Sequence, residues 1–313
     1  MPRSGHSLPE LVFSGALDRH AERRTESGLL ERLLADETTA VLELRGGLAP
    51  IAERVDDPAP LGPRLVLRPP RYGDGERLVA YLGESGGTAY VLVAGPGDDR
   101  APEGWRGLRS VGVQLGDVDA LLFATGLALW NWHSTHGHCP RCGAPTEVVQ
   151  AGWVRRCRAD DSLHFPRTDP AVIMSVVDDD DRLLLARGAG FTSVGMSVLA
   201  GFVEPGESLA AAVAREVLEE VGLVVHDVTY LGDQPWPFPA SLMIGFTARA
   251  DLGPMALQAE EIDSARWFTR EELVSAVRAG EVVIPQRLSI ARRLIEHWFG
   301  GPIDAPEVAI RRS

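Results

Sequence analysis

Hydrophobic and polar positions follow two periods along this chain. The runs TAVLELRG, PRLVLRPP, TAYVLVAG and SVGVQL, all within residues 11–135, alternate or cluster as strands do. They are followed by VDALLFATGLALWNWH, which is apolar at helical spacing and predicts a helix from about Asp117 to His133. Farther on, AVIMSVVDDDDRLLLAR predicts a β-hairpin, with the aspartate run as its solvated turn. VLAGFVE, VVHDVTYLGD and ASLMIGFTARADL predict more strands, and EELVSAVRAG and RLSIARRLIEHWF predict terminal helices. Residues 208–221 hold Ala, Leu, Val and Glu without an internal Gly or Pro, so they too predict a helix. Ser208 suits its N-cap and Gly222 its left-handed stop. Residues 1–10 and the tail after Gly300 lack such patterning and are expected to be loose or irregular. The mixture predicts an α+β protein.

The 208–221 helix carries the chemistry. Spacings of three and four place Glu216, Glu219 and Glu220 on one face. Val213, Val217 and Val221 form the adjoining apolar stripe, so one flank packs while the other gathers carboxylates. Like charges so close repel, and a hard divalent cation reverses the sign by taking carboxylate oxygens. Mg²⁺ or Mn²⁺ is therefore the expected partner of this face. Arg215 stands among the acids and is expected to pair with Glu207, tying the preceding loop to the helix.

The stretch GFVEPGESLAAAVAREVLEEVGL, residues 201–223, resembles the Nudix box, with Gly201, Glu207, Arg215, Glu216, Val217, Glu219, Glu220, Gly222 and Leu223 at the family's positions. Ten residues beyond the helix, DQPWPFPASLM resembles the QPWPFPxS signature of the NADH pyrophosphatase subfamily of Nudix hydrolases. Gln234 to Pro239 and Ser241 match; Asp233 replaces the family's common serine. The resemblance implies a Nudix αβα sandwich, preceded by a zinc-ribbon-like insert and a β-rich N-terminal domain. It implies a homodimer that splits the pyrophosphate of NADH or NAD⁺ into a nicotinamide mononucleotide and AMP, and that removes NAD caps from RNA 5′ ends. Glu216, Glu219 and Glu220 are the implied ligands of Mg²⁺ or Mn²⁺, with Arg215 and Glu207 completing the catalytic set. Glu261 is the implied additional metal acid, and Glu260 competes with it. Phe202, Gln234, Trp236, Phe238, Ser241 and Met243 are the implied substrate contacts, and in a dimer Phe165 or its neighbours would reach the partner's pocket. Which group is the general base stays open; Glu220 would bind metal and orient the water. The alternatives are a Nudix hydrolase of another nucleoside diphosphate derivative, such as ADP-ribose, and a non-catalytic nucleotide sensor.

All three cysteines, Cys139, Cys142 and Cys157, lie within nineteen residues, and CxxC followed by a third Cys suggests a zinc ribbon. A closed structural zinc site wants four ligands. Asp160 stands where a second CxxC would put its sulfur, while His164 is the softer donor; His136 and His138 also lie near in sequence. An odd cysteine count with no secretory signal argues against a disulfide scaffold.

A length of 313 residues suits more than one core. The expected division is 1–135, an N-terminal domain; 136–168, the ribbon; 169–300, the Nudix domain; and 301–313, a tail. Trp130, Trp132 and His133 read as core or interface residues. A net charge of −13 argues against a broad nucleic-acid surface, though not against a local RNA-end site. The longest apolar run, ALLFATGLALW, is too short to cross a bilayer. The expected location is the cytoplasm, with no membrane partner.

Overall fold

The computed structural model describes Leu8 and residues 17–53, 62–97, 102–189, 194–251 and 253–307. These fall into two compact units, one drawn from residues 12–168 with 235–240 and the other from 1–11, 169–234 and 241–313. None of the helices described is long and apolar enough to cross a membrane.

The first unit contains a six-stranded sheet built from β1 (Ala40–Arg45), β2 (Leu48–Ala52), β3 (Arg64–Leu65), β4 (Leu78–Ser85), β5 (Thr88–Gly95) and β6 (Trp105–Gly107). The strand order is β3-β2-β1-β5-β4, with β6 beside β2. Its helices are α1 (Leu29–Ala35), α2 (Leu108–Val111) and α3 (Asp117–Thr135). The expected long helix is thus present, and Leu122 and Phe123 on it are fully buried. Two expectations change. SVGVQL begins in a helix rather than a strand, because the buried pair is Leu108 and Val111, three apart, whereas Val113 stays 42% exposed. PRLVLRPP yields only the two-residue β3 and a bridge from Val41 to Arg68, since Pro69 and Pro70 offer no donor to extend the ladder. The run LVAYLGES forms a further strand, β4, against β5.

Glu43 on β1 is buried yet ionised. Its carboxylate accepts from Arg45, Arg68 and Arg77, and Arg68 also holds Asp74 with two hydrogen bonds of 2.7 and 2.8 Å. Burial works against the charge, but the three guanidinium bonds outweigh it and hold Glu43 down to about 2.

The same unit carries a three-stranded ribbon, β7 (Thr146–Val149), β8 (Val154–Cys157) and β9 (Leu163–His164), in that order and antiparallel.

The second unit is a sheet between two helical layers. Its strands are β10 (Asp169–Val177), β11 (Leu183–Gly188), β12 (Leu199–Phe202), β13 (Val225–Trp236), β14 (Ser241–Ala250) and β15 (Ile262–Phe268). Their order is β13-β14-β10-β11-β15, and β12 pairs with β10. The helices are α4 (Leu209–Val221), α5 (Arg270–Arg278) and α6 (Ile290–Phe299). Strand alternation divides the core. Val172, Met174 and Val176 of β10 pack with Val213, Val217 and Val221 of α4. Ile173 and Val177 point the other way and pack with Leu273 of α5 and Leu294, Ile295 and Trp298 of α6. This is the αβα arrangement, and the aspartate run turns β10 into β11 as a hairpin. Leu8 departs from the loose start expected of residues 1–10: it is buried in the α6 layer, and its N–H donates to Leu231 O at 2.8 Å. The other residues of that stretch lie outside the described ones.

Candidate functional site

The glutamate helix forms for the local reasons its sequence suggests. Ser208 Oγ accepts from Ala211 N at 3.2 Å, and Gly222 closes the helix at φ 73°. A Cβ on Gly222 would also meet Ala256 Cβ at 2.9 Å, because the backbone of 256–258 hydrogen-bonds back to Val221 O and Glu220 O. The three valines of the apolar stripe are fully buried, which fixes the rotation of α4 and therefore the direction of its acids.

Arg215 organises those acids. Its Nε and Nη2 donate to the two carboxylate oxygens of Glu207 at 3.1 and 2.7 Å, and Nη2 also donates to Phe202 O at 2.9 Å. Nη1 donates to Glu216 at 2.8 Å and to Glu219 at 3.0 Å. The expected Arg215–Glu207 pair is present, and one guanidinium spans loop, strand end and helix. Its hydrogen bonds to Glu207 lead the forces that raise the Arg215 pKa. In turn Arg215, with the Glu204 N–H, holds Glu207 below the usual carboxylate range.

Glu216 lies against the strand. A Cβ on Gly201 would sit 1.9 Å from Glu216 Cδ, so the box glycine is the slot that admits this carboxylate. Burial pushes the Glu216 pKa up; Arg215 opposes the shift, and Glu219 and Glu261 add to it. Glu261 is exposed and near enough to act on Glu216 electrostatically, with its N–H and carbonyl bonded to Gln258 and Ala189. Glu260 is exposed too. Glu220 is buried beside this group, and Glu219 is half exposed. A buried carboxylate seated in a glycine slot, with further carboxylates of the same helix face around it, is a hard oxygen donor set that fits Mg²⁺ or Mn²⁺.

The residues of the proline-aromatic stretch divide. Phe202, at the end of β12, is 60% exposed, and Ser241 opens β14 opposite Asp169. Met243 is partly buried against the α6 layer. Gln234 is fully buried: its amide donates to Leu288 O and accepts from Ile290 N, both at 2.7 Å, and so joins β13 to the start of α6. That is a structural place rather than the exposed contact expected of it. Trp236 and Phe238 belong to the first unit, with ring centroids 4.9 Å apart. There Arg109 lies 4.2 Å over Phe238 and 5.5 Å from Trp236, and Asn131 donates to Pro237 O and Pro239 O at 3.0 and 3.1 Å. Neither Arg109 nor Asn131 has a local sequence signal, since each is a hundred or more residues from the loop it holds.

The ribbon brings Cys139, Cys142, Cys157 and Asp160 together, with ligand atoms all within 4.8 Å of one another. Backbone N–H groups of Arg141 and Ala159 donate to the sulfurs of Cys139 and Cys157, each at 3.4 Å. His164 is not in this group; its Nε2 meets Ser162 Oγ, which itself donates to Asp160 at 2.6 Å. His136 bonds Thr135 and Trp132 instead, and His138 is exposed. Of the candidate fourth ligands, geometry favours Asp160. The hydroxyl and N–H of Ser162 hold its pKa down to about 2, so it is an anion ready to ligate. Three thiol groups and a carboxylate converging as a four-donor set fit Zn²⁺.

Fold and site thus define a Nudix-type sandwich with a cysteine ribbon ahead of it. Residues 167–288 match the model of the NUDIX domain, and residues 134–165 match that of the NADH pyrophosphatase zinc ribbon domain. The chain therefore carries a Nudix domain preceded by an NADH pyrophosphatase zinc ribbon. A protein of Mycobacterium bovis named NAD-capped RNA hydrolase NudC is 45% identical over 200 residues, which cover 61% of this chain and 64% of that protein. Its counterpart of the same name in Mycobacterium tuberculosis is 44% identical over the same shares. Human NAD-capped RNA hydrolase NUDT12 is 39% identical over 199 residues, 60% of this chain and 43% of that protein. The matches thus span less than two thirds of these relatives' lengths.

Proposed function

We propose that this protein is a divalent-metal-dependent hydrolase of the pyrophosphate bond of NADH and NAD⁺, releasing reduced or oxidised nicotinamide mononucleotide and AMP. The observation that carries this reading is the Arg215-centred carboxylate cluster on α4, with Glu216 seated in the Gly201 slot. The zinc ribbon of the NADH pyrophosphatase type that precedes the Nudix domain in the chain supports the substrate class. The names of the relatives support a second substrate for the same chemistry, the NAD cap of RNA 5′ ends.

Glu216, Glu219 and Glu220, joined by Glu261, would hold Mg²⁺ or Mn²⁺. When bound, the ion neutralises phosphate oxygens and lowers the pKa of its water. The protein's own groups do the placing. Arg215 keeps Glu207, Glu216 and Glu219 at fixed distances, so the acid face is organised before substrate arrives. The exposed ring of Phe202 offers a stacking face for a base or the nicotinamide. Trp236, Phe238, Ser241 and Met243 remain substrate-contact assignments of this reading. Asp160 completes the zinc set with Cys139, Cys142 and Cys157. The reading also takes the protein to be cytoplasmic and a homodimer; light scattering on the purified protein tests the dimer.

The deciding experiment is product analysis after incubation with NADH and Mg²⁺ or Mn²⁺. Metal-dependent AMP with reduced nicotinamide mononucleotide is the expected result. Cleavage of ADP-ribose but not of NADH would overturn the substrate class, and nucleotide binding without turnover of any substrate would overturn hydrolysis.

A further inference from the structure

Within the first unit, where β4 and α3 meet the ribbon, lies a cleft of about 480 Å³. Leu78, Trp130 and Val148 form its apolar walls, and Arg77, His133, Ser134 and Arg155 supply its polar groups. The volume falls within the range of small-ligand sites.

The protonation of its buried base can be read from its partners. His133 is 8% exposed; its Nε2 lies 2.8 Å from Gly152 O and its Nδ1 lies 2.9 Å from Arg155 Nη1. A carbonyl only accepts and a guanidinium only donates, so His133 is the neutral tautomer with its proton on Nε2. Burial, followed by the Arg155 charge, keeps its pKa down to about 4 against the Gly152 bond, which raises it. His133 therefore adds no charge near pH 7.

Arg155 is held by neutral acceptors. Besides His133 it donates to Thr146 Oγ1 at 2.6 Å and to Thr146 O at 3.2 Å, and no ion pair to it is found among the described residues. Arg77 pairs with Glu43, but Glu43 also serves Arg45 and Arg68, and Arg68 serves Asp74. Three guanidinium groups against two carboxylates leave one positive charge there, and Arg155 adds a second. Glu147, beside Val148, is taken up by Arg156 and Arg158. At the cleft, Arg155 is thus a cation without a carboxylate partner among the described residues, and Arg77 shares Glu43 with two other arginines.

We propose that this cleft is a binding site for a nucleoside monophosphate, with its phosphate between Arg77 and Arg155 and its base against the indole of Trp130. The charge selects the anion. A phosphomonoester carries about −1.5 to −2 at neutral pH and matches two guanidinium groups, whereas a single carboxylate carries one charge. The walls select the body, because an indole with Leu78 and Val148 suits a flat heterocycle. Ser134 donates to Trp130 O at 2.7 Å, which leaves its hydroxyl oxygen to accept from a ribose hydroxyl. The site is independent of the hydrolase reading, since binding is measured without turnover.

The test uses the full-length, zinc-loaded protein without added Mg²⁺ or Mn²⁺, and AMP as the probe. Calorimetry measures affinity, and amide exchange locates the site. The expected result is saturable AMP binding with protection in residues 146–155, at least tenfold tighter than adenosine or inorganic phosphate. Val148→Asp sets a carboxylate at a wall position that is already 41% exposed, and should weaken AMP at least tenfold with an unchanged melting temperature. Arg155→Lys keeps the charge but loses the fork, and should weaken AMP less than Arg155→Gln does. Absence of saturable binding, protection confined to α4, adenosine or phosphate binding as tightly as AMP, or a Val148→Asp affinity within twofold of the parent would each overturn the site.

Discussion

Arg215 grips Glu207 with two of its guanidinium nitrogens, at 3.1 and 2.7 Å, while its third reaches Glu216 and Glu219. One planar fork therefore fixes the loop before α4 and the acids upon it. A lysine in its place keeps the charge but cannot make the bidentate contact. Arg215→Lys is expected to lower turnover about tenfold or more, and Arg215→Ala to lower stability by about 2 kcal/mol, the scale of hydrogen bonds to charged groups. Steady-state kinetics and urea denaturation check both.

Glu216 should trade stability against activity. Its folded pKa is raised, by burial first, so the native state holds the proton to higher pH than the unfolded chain does. Stability therefore falls as pH rises from the ordinary carboxylate value through the raised one, and the cost remains above it. Glu216→Gln is expected to melt higher than the parent at pH 7 without divalent metal, and equally at acidic pH below both values. It should also lose on the order of 100-fold or more in metal-dependent turnover, since loss of mere supporting groups at metal sites already costs 10–100-fold. A parent and variant that melt alike at pH 7 would contradict the assigned shift.

Glu43 behaves oppositely. Its pKa is held near 2 against an ordinary 4.5, so the ionised form stabilises the fold. That contribution is complete above the unfolded value and is lost as pH falls toward 2. It amounts to about 3 kcal/mol at neutral pH by linkage. Glu43→Gln should remove it, flattening the acid limb of stability between pH 5 and 2 in urea titrations on the order of that amount.

Metal analysis separates the two candidate zinc ligands. Asp160→Ala is expected to lose zinc to a mild chelator far faster than the parent, Asp160→Cys to retain it longer, and His164→Ala to match the parent. Equal zinc content in Asp160→Ala and the parent would remove Asp160 from the set.

Gln234→Ala should act on folding. It strands Leu288 O and Ile290 N in the core, a cost of about 3 kcal/mol at 1–3 kcal/mol for each unmade bond. The surviving folded protein should keep its KM, which a substrate contact would not allow.

What could be read in the sequence was local. Ser208, Gly222 and the stripe of Val213, Val217 and Val221 define α4 within fifteen residues, and the Arg215–Glu207 pair spans eight. What could not be read depends on residues far apart or on a turn. Asp160 prevails over His164 because the tight turn after Cys157, closed by the Asp161 N–H donating to Cys157 O at 3.2 Å, brings the carboxylate back to the sulfurs. Gln234 stands in a signature that suggests ligand contact, yet its partners are 54 and 56 residues on. The arginines around Glu43 and the Arg109 and Asn131 contacts likewise unite segments that no periodicity links.

The Gly201 slot has a consequence for how damage to this protein would be noticed. The atoms that a new Cβ would strike there are the far end of a flexible side chain, not backbone, so an alanine is accommodated by swinging the Glu216 carboxylate aside. The fold loses little, while the acid face loses a buried member that Arg215 holds. Gly201→Ala is thus a quiet lesion: a variant that expresses and elutes like the parent and passes screens for misfolding, detectable only by asking whether it still works.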